Sequence, residues 1–205
     1  AIVIAEEAEE KRAPLTTVNG PLLGYNINLV GKHQAENAKV AIEATTALGI
    51  HLSFDTVQHA LSTVSWPGRF ETLSESPHVI IDGAHNPHAA AALVATWKQT
   101  FNDQKATLVF GAVDGKDVNN VLETLCEISD EIHLTPLDSP RTMSTESLKA
   151  LLVSSELPIH SHTNLESCLG SLNQHPRPIL VAGSLFLIGE AKALAGPSPF
   201  QRSSQ

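Results

Sequence analysis

The chain has 205 residues, of which 42% are apolar, enough for a packed core. Its 13 basic and 22 acidic side chains give a net charge of −9, which argues against partners such as nucleic acid or an anionic membrane surface. The apolar content also excludes a disordered chain, and no apolar run approaches the roughly eighteen residues of a membrane span.

The N-terminal residues and the cysteines indicate a cellular compartment. The segment 1–10 lacks the basic start and the long apolar stretch of a signal peptide. Cys126 and Cys168 lie among apolar residues, which is typical of buried thiols in a reducing compartment. We therefore expect a soluble, cytoplasmic protein. The chain opens on Ala1 rather than on Met, which favours a piece cut from a longer protein.

The first third of the chain is predicted to contain one strand followed by two helices. Apolar and polar side chains alternate over residues 22–30, as in a half-buried strand. Residues 32–48 are rich in Ala, Glu and Lys, and Gly49 follows as a helix stop. A second helix is expected over residues 54–64, with Ser53 as its N-cap.

A Pro-Gly pair at residues 67–68 marks the predicted boundary between a domain over 1–66 and a domain over 67–205. After it, short apolar runs alternate with amphipathic segments. The predicted strands are 78–82, 106–110, 131–135, 158–162 and 178–182, and the predicted helices are 87–101, 117–128, 145–153, 165–172 and 185–194. This alternation predicts an α/β fold with a mostly parallel, Rossmann-like sheet and helices on both faces. Ligands of such sheets bind beyond the carboxyl ends of the strands.

The segment Asp82-Gly-Ala-His-Asn-Pro87 joins a predicted strand to a helix start. Asp82 can accept hydrogen bonds from ribose hydroxyls, and the helix N-terminus favours an anion. His85, beside that positive pole, can contact a phosphate or a carboxylate. The alternative is a capped turn that carries a surface histidine.

Two further loops follow predicted strands. The loop Gly111–Asp117 is not a Walker A motif, because its glycines are one position too close and Asp117 replaces the hydroxyl that would bind Mg²⁺. Lys116 can instead pair with a substrate carboxylate, unless it is simply a solvated charge. Ser184, which follows Gly183 at a helix start, suits a carboxylate but is equally typical of a plain helix cap.

Other chemistries find little support in the sequence. His160 and His162 are two apart and His85 and His88 three apart, but no C-x-x-C or H-E-x-x-H pattern is present, so no metal ligand is predicted in the chain. There is also no G-x-S-x-G elbow, and neither cysteine has a histidine nearby in sequence, which leaves simple hydrolase chemistry unsupported.

Taken together, the motifs resemble a known family. Gly31-x-His33-Gln34-x-x-Asn37-Ala38, Trp66-Pro67-Gly68-Arg69 and Asp82-Gly-Ala-His-Asn-Pro87 resemble, in order and spacing, folylpolyglutamate synthase/dihydrofolate synthase of the Mur ligase superfamily. The loop 111–117 and the Gly183-Ser184 pair fit the same pattern. The resemblance covers only the second half of the proteins of that family. It implies that 1–66 are the end of a P-loop ATPase domain and 67–205 the Mur ligase C-terminal, glutamate-binding domain.

The resemblance implies an ATP-dependent amide ligase that adds L-glutamate to folate or dihydropteroate through an acyl phosphate. It implies ATP and Mg²⁺ as cofactors, with the Mg²⁺ ligands upstream of this chain, and a monomer at full length. The chain alone would then be inactive. Two alternatives stay open: a non-catalytic module that binds glutamate or a nucleotide, and a different Mur-type amino-acid ligase.

The resemblance also implies residue roles. It assigns ATP binding to Asn37, Arg69 and Asp82. His85 would lie near the phosphates or the incoming glutamate, as a catalytic and glutamate-binding residue. Lys116 and Ser184 would bind the glutamate carboxylate, although a glycine precedes Lys116 where the family more often has a bare Asp-Lys-Asp.

Overall fold

The computed structural model describes residues 2–115 and 117–196, which form two compact units. The first unit runs to Asn28 and continues over Lys32–Val64. The second unit comprises Leu29–Gly31 and the chain from Ser65 onwards. The predicted Lys116 site and the polar tail after residue 196 lie outside the described residues.

Three helices form the first unit: α1 (Ile2–Glu10), α2 (Lys32–Ala47) and α3 (Phe54–Thr63). The helices predicted over 32–48 and 54–64 are present almost to the residue, whereas α1 was not predicted. Ser53 caps α3 as expected, because its side chain accepts a hydrogen bond from the Thr56 backbone N–H at 3.2 Å.

The strand predicted over 22–30 is wrong. This segment is irregular, and its backbone groups bond to helices instead of a neighbouring strand. The Asn28 N–H donates to the Leu61 carbonyl of α3 at 2.9 Å, and the Asn26 N–H donates to the Gln58 side chain at 3.1 Å. Apolar alternation alone cannot make a strand where helices supply the hydrogen-bond partners.

A six-stranded sheet forms the centre of the second unit, with strand order β1-β2-β6-β3-β4-β5. The strands are β1 (Glu71–Glu75), β2 (His78–Asp82), β3 (Ala106–Phe110), β4 (Ser129–Leu134), β5 (Ile159–Ser161) and β6 (Ile179–Ala182). All neighbouring pairs are parallel except β1 with β2. The predicted α/β fold with a mostly parallel sheet is therefore confirmed.

Helices cover both faces of this sheet, as predicted. They are α4 (Pro87–Phe101), α5 (Val118–Cys126), α6 (Thr145–Ala150), α7 (Leu165–Ser171) and α8 (Leu185–Ala195). Trp97 of α4 and Leu122 of α5 pack with Leu108 on one face, whereas Leu165 of α7 and Leu187 of α8 pack with Val109 on the other. Successive residues of a strand point to opposite faces, which explains this division.

Local signals in the sequence set several of these boundaries. Asn86 caps α4 by accepting from the Ala89 N–H at 2.9 Å, and Pro87 occupies the first turn. Both cysteines are free thiols, Cys168 buried and Cys126 partly so. Among the helices described, none combines the length and the apolar character that crossing a bilayer requires.

Candidate functional site

The carboxyl ends of three neighbouring strands meet at one edge of the sheet. Ala182 at the end of β6 pairs with Asp82 of β2 on one side and with Phe110 of β3 on the other. The loops that follow these strands therefore emerge side by side, as the parallel topology predicted. They surround a cleft of about 240 Å³, lined by His85, Ala112, Val113, Gly115, Asp117, Val118, Gly183, Ser184, Leu185 and Phe186.

Close backbone packing fixes the shape of this edge. Gly183 has a φ of +116°, and a Cβ built there would lie 2.6 Å from the Phe110 ring and 2.7 Å from the Gly111 carbonyl oxygen. The Gly183 N–H donates to the Ala84 carbonyl at 3.1 Å, which joins the loop after β6 to the loop after β2. Only glycine fits such an approach between two backbones.

His85 is exposed and lines one side of the cleft. Its Nδ1 lies 2.8 Å from the Gly83 carbonyl oxygen. Because a carbonyl oxygen only accepts, Nδ1 carries the hydrogen of this bond, and Nε2 of the neutral ring is left with a lone pair. His85 is thus oriented to accept a proton or a hydrogen bond at Nε2.

Ser184 begins α8 at the floor of the same cleft and is 3% exposed. Its Oγ accepts from the Phe186 N–H at 3.2 Å, so the hydroxyl hydrogen stays free to donate to a ligand. The N-terminus of α8 adds the positive end of a helix dipole, which favours a carboxylate. Serine as a cap and serine as a carboxylate ligand are therefore compatible here.

Asp82 uses both carboxylate oxygens to hold the backbone around Arg69. Oδ2 accepts from the Phe70 N–H and Oδ1 from the Ala84 N–H, each at 2.9 Å. The Gly83 N–H donates in turn to the Gly68 carbonyl at 2.8 Å. These bonds fix the backbone on both sides of Arg69, at Gly68 and at Phe70, to the carboxyl end of β2.

Burial raises the pKa of Asp82 above its usual range, against the opposing effects of the two N–H donors and of the nearby Arg69 charge. Arg69 and Asp82 are therefore close enough to interact electrostatically. Neither is among the residues that line the cleft, so the structure brings together two pairs: His85 with Ser184, and Arg69 with Asp82.

We expect Asp82→Asn to lower the free energy of unfolding by about 1–3 kcal/mol. An amide has one acceptor oxygen, so either the Phe70 N–H or the Ala84 N–H would face the NH₂ group. Losing the buried charge offsets part of this cost. Urea unfolding measures the change, with Asp103→Asn at an exposed position as the control. Equal stability of both variants would contradict the structural role of Asp82.

Two predicted site residues remain, Asn37 and Lys116. Asn37 lies on the exposed side of α2, in the first unit, and its Nδ2 donates to the Gln34 Oε1 at 3.3 Å. The Gln34 Nε2 lies 3.0 Å from the His33 Nε2, so the motif forms a chain of polar side chains. Lys116 is outside the described residues, and its role stays a prediction.

Two features of the cleft were not predicted. Asp117 lines it and adds a carboxylate that makes no capping bond to α5, and Leu185 and Phe186 form an apolar rim that is 55% and 44% exposed. Two large apolar residues directly after a serine cap were the available signal, because the first turn of a helix often lies at the surface.

The chain matches known proteins of one family. Residues 68–185 match the family model "Mur ligase, glutamate ligase domain". A Bacillus subtilis dihydrofolate synthase/folylpolyglutamate synthase is 30% identical over 218 residues, covering 93% of this chain and 51% of that protein. The chain thus spans about half the length of this relative.

Solved structures give the same result. A Mycobacterium tuberculosis folylpolyglutamate synthase complexed with ADP and AMPPCP matches with a TM-score of 0.82 and 27% identity, over 97% of this chain and 53% of that one. A Yersinia pestis bifunctional folylpolyglutamate synthase/dihydrofolate synthase complexed with AMPPNP and a Mn ion matches with a TM-score of 0.78 and 27% identity, over 93% and 50%. Since the family model spans more than half of the sequence, the chain belongs to the Mur ligase family, in the region of its glutamate ligase domain.

Proposed function

We propose that this chain is the glutamate-binding half of an ATP-dependent ligase that adds L-glutamate to folate or dihydropteroate. The observation that carries the proposal is the cleft at the strand ends, where a helix N-terminus, Ser184 and His85 converge. The names of the relatives, dihydrofolate synthase and folylpolyglutamate synthase, support the choice of substrates.

The proposed reaction begins by activating a carboxylate, because a free carboxylate is a poor electrophile. ATP transfers its γ-phosphoryl group to the folate or dihydropteroate carboxylate, which gives an acyl phosphate and ADP. The glutamate amine then attacks the acyl carbon, the amide bond forms, and phosphate leaves. The attacking amine loses protons, and the His85 Nε2 is placed to accept one.

In this proposal the cleft holds the amino acid. The α8 N-terminus, the Ser184 hydroxyl and Lys116 would bind a glutamate carboxylate. Asp117, which also lines the cleft, would attract the glutamate ammonium group. Holding the amine near the acyl phosphate in a closed site replaces an encounter between free molecules.

We assign residues 1–66 to the end of the ATPase domain and 67–205 to the glutamate-binding domain. Asn37, Arg69 and Asp82 would serve the nucleotide, with Asp82 acting through its hydrogen bond to the backbone N–H of Phe70, the residue after Arg69. Mg²⁺, whose ligands we place upstream of this chain, supplies charge neutralisation at the phosphates. The AMPPNP and Mn complex of the Yersinia pestis protein supports the use of a nucleotide with a divalent ion.

We propose a monomer at full length, in the cytoplasm, with ATP, glutamate and a folate as its ligands. The net charge of −9 supports the exclusion of nucleic acid and anionic membranes as partners. The two free thiols support a reducing compartment.

A phosphate-release assay on the gene product that contains this chain tests the function. We expect release to require ATP, L-glutamate and either dihydropteroate or tetrahydrofolate. Dependence on another amino acid, or on an acceptor unrelated to folate, would replace the proposal with a different Mur-type ligase.

In the same assay, Arg69→Ala should raise the KM for ATP about tenfold or more, with little change in the melting temperature. A charge-assisted contact to a phosphate contributes about 1.5–3 kcal/mol, which corresponds to such a factor. The backbone bonds around residue 69 do not involve its side chain, so the fold should persist. Arg177→Ala, at a surface ion pair with Asp130, is the matched control. An unchanged KM would exclude Arg69 from the nucleotide site.

A further inference from the structure

A group of histidine and glutamate side chains lies on the sheet face that α7 and α8 cover. Glu131 and His133 alternate along β4, and His133 is paired in register with His160 of the edge strand β5. His133 is also paired with Val109, a member of the core under α7. Paired residues of adjacent strands point to the same face, so these side chains converge.

Three of their atoms have the spacing of metal ligands. The Glu131 Oε2 lies 3.6 Å from the His133 Nε2 and 3.6 Å from the His160 Nε2. All three atoms lie within 4.8 Å of one another. A tetrahedral zinc ion with bonds of about 2.0–2.2 Å needs ligand atoms about 3.4 Å apart. The two distances from Oε2 are close to this spacing, and the stacked rings of His133 and His160 would have to turn toward each other to close the site around an ion.

The His133 ring contains the one buried side-chain polar atom without a hydrogen-bond partner among the described residues, Nε2. The residue is 6% exposed, so water does not readily take the place of that partner. If Nε2 carries a hydrogen, the Glu131 carboxylate at 3.6 Å is too far away to accept a hydrogen bond from it. If Nε2 carries only a lone pair, that lone pair faces the negative carboxylate, which is unfavourable. A cation between His133 and Glu131 would resolve both situations.

Neighbouring groups orient the ligands. The His133 Nδ1 lies 2.8 Å from the His162 Nε2, which fixes the plane of the ring. The Glu131 Oε1 accepts from the Thr107 hydroxyl at 3.0 Å and from the His175 Nε2 at 2.9 Å, which leaves Oε2 for an ion. Such outer contacts are typical of protein metal sites.

We propose that Glu131, His133 and His160 bind a divalent cation of the zinc type, with water in the fourth position. Two imidazoles and one carboxylate suit zinc and its transition-metal neighbours rather than Mg²⁺, which prefers oxygen ligands. The His160 side chain is 50% exposed and gives the ion a way in. The site would tie the three-residue strand β5 to β4.

The exposure of the ligands favours this group over a neighbouring one. A second group, His133 with His162 and Cys168, is equally compact. Cys168 is 0% exposed and belongs to the apolar core under α7, however, whereas His160 opens the first group to solvent, which favours the first group.

Calorimetric titration of the 205-residue chain with Zn²⁺, after removal of metals with a chelator, tests the site. We expect about one ion bound per chain, no heat with Mg²⁺, and a melting temperature that rises by roughly 5–10 °C at a hundredfold excess over the Kd. Co²⁺ should give the intense visible bands of a tetrahedral site.

His160→Ala should weaken Zn²⁺ binding at least about tenfold and remove the Co²⁺ bands. This side chain is half exposed, so the variant should fold. His51→Ala, exposed in the first unit, is the control and should bind as the original chain does. Absence of stoichiometric binding would overturn the proposal. So would binding that survives His160→Ala but is lost in Cys168→Ser, since the ion would then occupy the other group.

Discussion

Replacing Gly183 by alanine should destabilise the second unit by about 4 kcal/mol, the largest stability loss that we expect from a single added methyl group. Two costs combine. The φ of +116° is strained for any residue with a Cβ, and that Cβ would lie 2.6 Å from the Phe110 ring. The Gly111 carbonyl at 2.7 Å blocks the other side, and backbone moves less easily than a side chain.

Urea unfolding, followed by the fluorescence of the buried Trp97, measures this loss. Gly170→Ala is the matched control, because a Cβ at that position of α7 meets nothing within 4 Å. It should stabilise the chain by about 0.5–1 kcal/mol, since alanine is the better helix former. A loss below about 1 kcal/mol in Gly183→Ala would show that the loops after β3 and β6 can separate, and that the cleft is less rigid than its contacts indicate.

The core of the sheet was predictable because its strands are apolar runs buried on both faces. Residues 106–110 form β3 as predicted, and every residue of that strand is buried. Strand β1 was missed because Glu71-Thr-Leu-Ser-Glu75 is polar and lies at the sheet edge, where pairing with β2 rather than burial makes the strand. The wrong strand over 22–30 has the opposite cause, an alternating pattern without a strand beside it.

The position of the cleft was also predictable, because a parallel sheet places its strand ends together. The role of Asp82 in holding the backbone at this edge was not predictable. Its hydrogen bond to Phe70 depends on how the segment before β1 crosses the end of β2, and no local pattern encodes that crossing. The group at Glu131, His133 and His160 was missed for a similar reason: its members meet through the register of β4 with β5, not through sequence spacing.

In the gene product that contains this chain, assayed for the proposed ligase activity, we expect His85→Ala to lower kcat about 100-fold or more. The proposed role is proton acceptance at Nε2, which the Gly83 carbonyl prepares by holding the hydrogen on Nδ1. An alanine keeps the backbone but offers no acceptor, so the amine would have to lose its proton to water. Because the side chain is exposed, the melting temperature should stay within about 1 °C of the original.

His88→Ala provides the comparison that makes this result specific, because His88 is also exposed and lies on α4 directly after the same loop. It should leave kcat and both KM values unchanged. If His85→Ala raises only the KM for glutamate, His85 binds the carboxylate instead of accepting the proton, and the catalytic assignment is wrong. If kcat and KM both remain as they were, the cleft is not where the amine reacts, since a group on its wall cannot be removed without effect from a working site.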